Sequence, residues 1–341
     1  MATAIAPRAG ASQVRPAGPA SPPFMRRVAW FFVLAYALSW AWEIPWAVSG
    51  RTVMQGQGWP SQLPALLGPL TAAVIVTAGT EGRQGIKGFA ARLLRWRIGW
   101  RWWLVALSPL AFLAAAVGVV AATATVPSYR DFSSYSGVPA GLGIVGVAVV
   151  IVVVNGLGEE AGWRGYALEH LQRRWSPLRA TLVIAPLWAA WHLPLFFSLD
   201  SYKDFSPAMI PVFFFGLVCG ALVCTWIYNR TGGSILAVAV WHALYNVAGG
   251  TKAGGDGSGT IAAIVWTFVV VNSVLILVLE LRARRRGLPS PLRMCASPRS
   301  GQRAASAVPH GRSGRGRADV EIEDGRGDVQ RATRIGDVHD A

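Results

Sequence analysis

From residue 28 to residue 280 the chain alternates apolar runs of about twenty residues with short polar stretches. An α-helix needs roughly 20 apolar residues to cross a hydrocarbon core. The runs near 28–48, 61–79, 102–124, 139–158, 180–199, 208–228, 233–250 and 260–280 predict about eight transmembrane helices. The expected fold class is therefore all-α: a polytopic integral-membrane helical bundle over residues 25–281. Residues 1–24, rich in Ala, Pro and Ser, lack an apolar core and read as a disordered tail rather than a cleavable signal peptide. After Glu280 the composition shifts to Arg, Gly, Ser and Asp, which predicts a second disordered, Arg-rich cytoplasmic tail over 282–341.

Composition agrees with the periodicity. Hydrophobic residues make up 53% of the chain and charged residues 14%, too little charge for a soluble fold of this length. Mean hydropathy is +0.40. The net charge of +15 raises the question of nucleic acid, but the basic residues sit in blocks between apolar runs and so favour a membrane surface. Arg26 and Arg27, the block Arg83 to Arg101, the block His170 to Arg179, Arg230, and Arg282 to Arg286 fall in every second connection. The intervening loops hold only Arg51, Arg130 with Asp131, Asp200 with Lys203 and Asp204, and Lys252 with Asp256. The positive-inside rule then puts both termini in the cytoplasm, which an even helix count satisfies. The run Arg95-Trp-Arg-Ile-Gly-Trp-Arg-Trp-Trp103 precedes an apolar span and reads as an interfacial anchor, so no nucleic-acid partner is expected. Cys219, Cys224 and Cys295 are at spacings that suit no bridge and read as reduced thiols.

Ionisable groups inside a bilayer are costly and by default mark function. In Asn155-Gly-Leu-Gly-Glu-Glu-Ala-Gly-Trp-Arg164, Glu160 and Arg164 are four positions apart and pair on one helix face, while Glu159 points about 100° away, free to face a cavity. His192 lies in an apolar segment between Pro186 and Pro194, and His242 and Asn246 share a face of a third apolar helix. Glu159 is 11 residues before His170, His192 is 13 after Arg179, and His242 is 12 after Arg230. At about 1.5 Å per residue all three sites fall roughly 15–20 Å from the same boundary, the depth that a shared cavity requires. Glu43, near the other interface, reads as structural. A Glu and a His can deprotonate a water, and His with Asn can donate to a developing oxyanion, which is the chemistry of peptide hydrolysis.

Glu159-Glu160-x-x-x-Arg164, the aromatic–His pair Trp188 to His192, and His242-x-x-x-Asn246 together resemble the three motifs of the CAAX-protease and bacteriocin-processing family of intramembrane glutamyl endopeptidases. The resemblance covers about 140–250, and Gly162-Trp163-Arg164-Gly165-Tyr166 is similar to bacterial members, which implies a bacterial cytoplasmic membrane. Gly68-Pro69-Leu70 also resembles a recurring segment of the family. One departure is Trp188, where the family commonly has Phe; as both are large aromatics, the change is expected to touch packing more than chemistry.

The resemblance implies that Glu159 activates the hydrolytic water and His192 holds and polarises it. His242 and Asn246 would form the oxyanion site, with Glu160 and Arg164 in support. No metal is required, though Glu159, His192 and His242 would be the zinc ligands of a metal-dependent form. The expected partners are the lipid bilayer and a membrane-associated peptide or protein substrate, a prenylated one not being expected. A transporter using the same residues for a proton or solute, and a non-catalytic scaffold or immunity protein, are the rival readings.

Overall fold

The computed structural model describes residues 22–203, 205–255 and 259–295. The tail expectations for 1–21 and 296–341, and the loop acids Asp204 and Asp256, lie outside the described residues. Every predicted run is helical: α1 (Phe24–Val48), α2 (Leu63–Leu93), α3 (Trp100–Ala106 and Ser108–Thr123), α4 (Ala140–Leu171), α5 (Pro177–Ser198), α6 (Met209–Arg230), α7 (Ile235–Gly250) and α8 (Thr260–Arg285). The described residues form no strand.

By length and composition six of these helices can cross a membrane, or seven if the bent α3 counts as one span. The third expected span is broken, with its halves bent by 45° where the helix restarts at Ser108-Pro109, because proline has no N–H to continue the ladder. The seventh, α7, is a 16-residue helix, closed at its start by the Ser234 hydroxyl accepting from Ala237 N–H. Its far end is set by the weak helix formers Gly249 and Gly250.

The connections sort into two groups that hold each other. At one end, Ser234 Oγ donates to Arg95 O at 2.6 Å, and Gln172 and Asn229 exchange amide hydrogen bonds at 3.1 and 2.6 Å. At the other, Gln62 Nε2 donates to Ser136 O at 2.8 Å and Lys252 N to Ser134 O at 2.9 Å. All eight helices therefore run between a basic end and a loop-rich end. Phe24 and the last described residues both lie at the basic end: Arg174 sits over the Phe24 ring, and Cys295 N–H donates to Asn229 O.

The fold reaches beyond residue 281. Past α8 the chain turns back, Ser290 Oγ donates to the buried Glu280 carboxylate at 2.5 Å, and Leu292 is fully buried. Residues 282–295 therefore belong to the folded part despite their basic composition.

Candidate active site

Helix α4 carries the acidic motif, and two π-helical segments flank it: Val152–Leu157 and Trp163–Leu168. π-turns inside α-helices are uncommon and concentrate at functional sites, because the extra residue per turn re-aims side chains and frees carbonyls. Arg92 Nη2 takes up one such carbonyl, that of Gly165, at 3.2 Å.

The small residues of the motif let neighbouring backbones close on it. A Cβ on Gly156 would lie 2.5 Å from Ala239 O of α7, and one on Gly162 would lie 2.5 Å from Pro69 Cβ and 2.7 Å from Pro69 O of α2. Both are far inside van der Waals contact, and the opposing backbone cannot swing aside. Gly162→Ala gains up to about 1 kcal/mol of helix propensity but incurs an overpacking cost of about 1–3 kcal/mol. A lower Tm in detergent solution is the expected net result, measured by thermal unfolding of the purified chain.

Held this way, α4 turns both carboxylates inward: Glu159 is 2% and Glu160 0% exposed. Glu160 Oε1 accepts from Arg164 Nη1 at 2.8 Å, the expected i,i+4 pair, and lies 2.9 Å from His242 Nδ1 on α7. One carboxylate oxygen thus joins two helices. Glu159 points to the α5 side, where its Oε2 accepts the indole N–H of Trp188 at 2.7 Å. Trp188 thus adds to its ring packing a hydrogen bond that a Phe here would lack, since Phe has no such donor.

Trp188 touches the rest of the site as well. The Arg164 guanidinium lies over its ring, 4.4 Å from the centroid. The ring meets His242 at 5.4 Å and His192 at 5.8 Å in edge contacts. His192 closes the long helical part of α5, and its Nδ1 is 2.8 Å from Trp188 O. A carbonyl only accepts, so Nδ1 carries the proton and Nε2 of the neutral ring is left as an acceptor.

Five of the six sequence-derived residues, Glu159, Glu160, Arg164, His192 and His242, are thus linked through Trp188 and Glu160. Asn246 stands one turn beyond His242, half-buried, with no hydrogen-bond partner among the described residues. Glu43, also buried, accepts from Ser198 Oγ at 3.1 Å, apart from this cluster. Among the described residues no group of three or more His, Cys, Asp or Glu side chains is placed to hold a metal ion.

Other polar neighbours were not singled out from the sequence. Asn155 is buried one turn before Glu159, and its Nδ2 donates to Tyr135 Oη at 3.2 Å. Its i,i+4 offset from Glu159 was an available signal. Tyr135, by contrast, belongs to the loop before α4, whose Ser133, Ser136 and Val138 are buried, and nothing local in the sequence foretells that dip into the bundle. Burial raises the Tyr135 hydroxyl pKa, with Tyr202 and Glu159 adding to the effect; burial and then the Glu159 charge do the same at Tyr202. Both tyrosines, Tyr135 in its loop and Tyr202 in the short helix Asp200–Lys203, therefore stay neutral hydrogen-bonding groups within electrostatic reach of Glu159.

Comparison with known proteins bears on the class. The stretch 141–248, which contains all three motifs, matches the family model for Type II CAAX prenyl endopeptidase Rce1-like proteins. A curated relative, CAAX prenyl protease 2 of Methanococcus maripaludis, is 27% identical over 226 residues, covering 63% of this chain and 80% of the relative. Taken with the bundle and its buried polar centre, these similarities define an integral, multi-pass membrane endopeptidase. Over that stretch, 141–248, the chain is similar to the CAAX-protease and bacteriocin-processing family.

Proposed function

We propose that the chain cleaves a peptide bond of a membrane-associated peptide or protein by water that Glu159 activates, with no metal step. The observation that carries this reading is the enclosure of Glu159 and His192 on one residue, Trp188, beside a second carboxylate already engaged by Arg164 and His242. Glu159 Oε1 and His192 Nε2 are left to accept from a water. Glu159 takes one water proton as the oxygen attacks the scissile carbonyl carbon, and later delivers it to the leaving amine as the C–N bond breaks.

The tetrahedral oxyanion needs donors. Asn246 offers an unengaged amide, and His242, whose Nδ1 is turned to Glu160, offers Nε2–H when the ring is protonated. With His242 in that form, two carboxylates balance two cations, which suits a site this dry. Glu160 and Arg164 then fix α7 against α4 and touch no reacting atom. The charge bias of the loops places the basic end at the cytoplasmic face, so the scissile bond would be met within the bilayer from that side.

The test compares peptide termini in membranes expressing the wild-type chain or Glu159→Ala, each with and without a chelator. Termini that require Glu159 and persist with chelator are expected, and they identify the substrate. Identical termini from both proteins would overturn the reading, and loss with chelator alone would replace it by the zinc form.

A further inference from the structure

Trp188 makes two hydrogen bonds with separate consequences. Its backbone carbonyl fixes the proton of His192 on Nδ1, and its indole N–H holds one oxygen of Glu159. The two groups that would grip the hydrolytic water are thus set by one residue on α5, although Glu159 is carried by α4. The ring is itself clamped, with the Arg164 guanidinium on its face and both imidazoles against it. A buried indole has no other use for its single donor, and a carboxylate held by a charge-assisted bond loses the rotation about its last torsion.

We propose that the Trp188 indole N–H is a positioning element for cleavage: it pins Glu159 Oε2 so that Oε1 alone is presented to the water and receives its proton. The proposal rests on the assignment of Glu159 as the base. It separates Trp188 from the aromatic packing role that a Phe at this position would fill, since Phe keeps the ring and the backbone carbonyl and lacks only the N–H.

That difference supplies the experiment, made on the full chain in detergent micelles and in membranes. Tryptophan labelled with ¹⁵N gives one indole cross-peak per ring, and the peak missing from Trp188→Phe identifies residue 188. Glu159→Ala is expected to move that peak upfield as the carboxylate acceptor is lost; an unmoved peak overturns the proposal whether or not any substrate is known.

The functional arm follows the Glu159-dependent termini. Trp188→Phe is expected to slow their appearance by about ten- to a hundredfold, the range for one hydrogen bond to a charged group. With a peptide spanning the cleaved bond as probe, the fall is expected in kcat, with KM within about twofold. An unchanged kcat, or a loss confined to Tm and to the amount of folded protein, shows a packing role and overturns the proposal. Should Glu159→Ala retain cleavage, the catalytic assignment fails; should Glu159→Ala abolish cleavage while Trp188→Phe cleaves at the wild-type rate, only the present proposal does.

Discussion

Glu159→Gln is expected to lower turnover by about 10²–10⁴-fold, the usual contribution of a general base, while leaving the bundle folded. The amide matches the carboxylate in shape, and its oxygen still accepts the Trp188 indole N–H, so the 2.7 Å contact between α4 and α5 survives. What is lost is the capacity to take a proton from water. Substrate binding should persist, because no contact of the α4–α7 junction depends on Glu159. Single-turnover cleavage of the peptide found by terminus comparison, alongside its binding to the same variant, separates the two effects. A variant that binds and cleaves normally would remove Glu159 from the chemistry.

Arg164→Leu is expected to be the more severe structural change. It leaves Glu160, which is fully buried, facing only His242, and strips the cation that lies on the Trp188 ring. Removing one partner of a buried pair costs about 3–5 kcal/mol because the remaining charge is uncompensated. A membrane protein of ordinary stability loses much of its margin at that cost, so poor recovery of folded protein and a much lower Tm should accompany lost activity. Adding Glu160→Gln removes the orphaned charge and should restore part of the Tm without restoring cleavage. If the double variant is no more stable than Arg164→Leu alone, the 2.8 Å pair is not the source of the penalty.

These effects differ in how visible they were along the chain. Apolar run length located the eight long apolar segments, since crossing a hydrocarbon core imposes a length on sequence, but not the short helices Tyr129–Phe132 and Asp200–Lys203 between them. The Glu160–Arg164 pair was equally plain, because an i,i+4 offset fixes the geometry inside one helix. Contacts between helices have no such periodicity. Similar distances from the basic blocks put Glu159, His192 and His242 at one level, but spacing along the chain does not reveal that His242 turns to Glu160 or that Trp188 reaches Glu159. The close approach of Ala239 to Gly156 and of Pro69 to Gly162 was hidden for the same reason, being a property of the neighbouring helices. The break in α3 did have a local cause in Pro109, and the shortness of α7 a local cause in its paired glycines.

The brevity of α7 bears on how the molecule is made. Sixteen residues span about 24 Å against a hydrocarbon thickness of about 30 Å, and the segment carries the polar His242 at its middle and Asn246 one turn further on. Such a helix partitions poorly on its own during biogenesis. Only residues 231–234 separate it from α6, a 22-residue apolar helix, which favours delivery of the two into the bilayer as a single hairpin. The insertion machinery thereby handles the segment that carries His242 and Asn246 as the passenger of a stronger neighbour, and lesions in α6 that weaken its partitioning are expected to deplete correctly inserted α7 without touching either side chain.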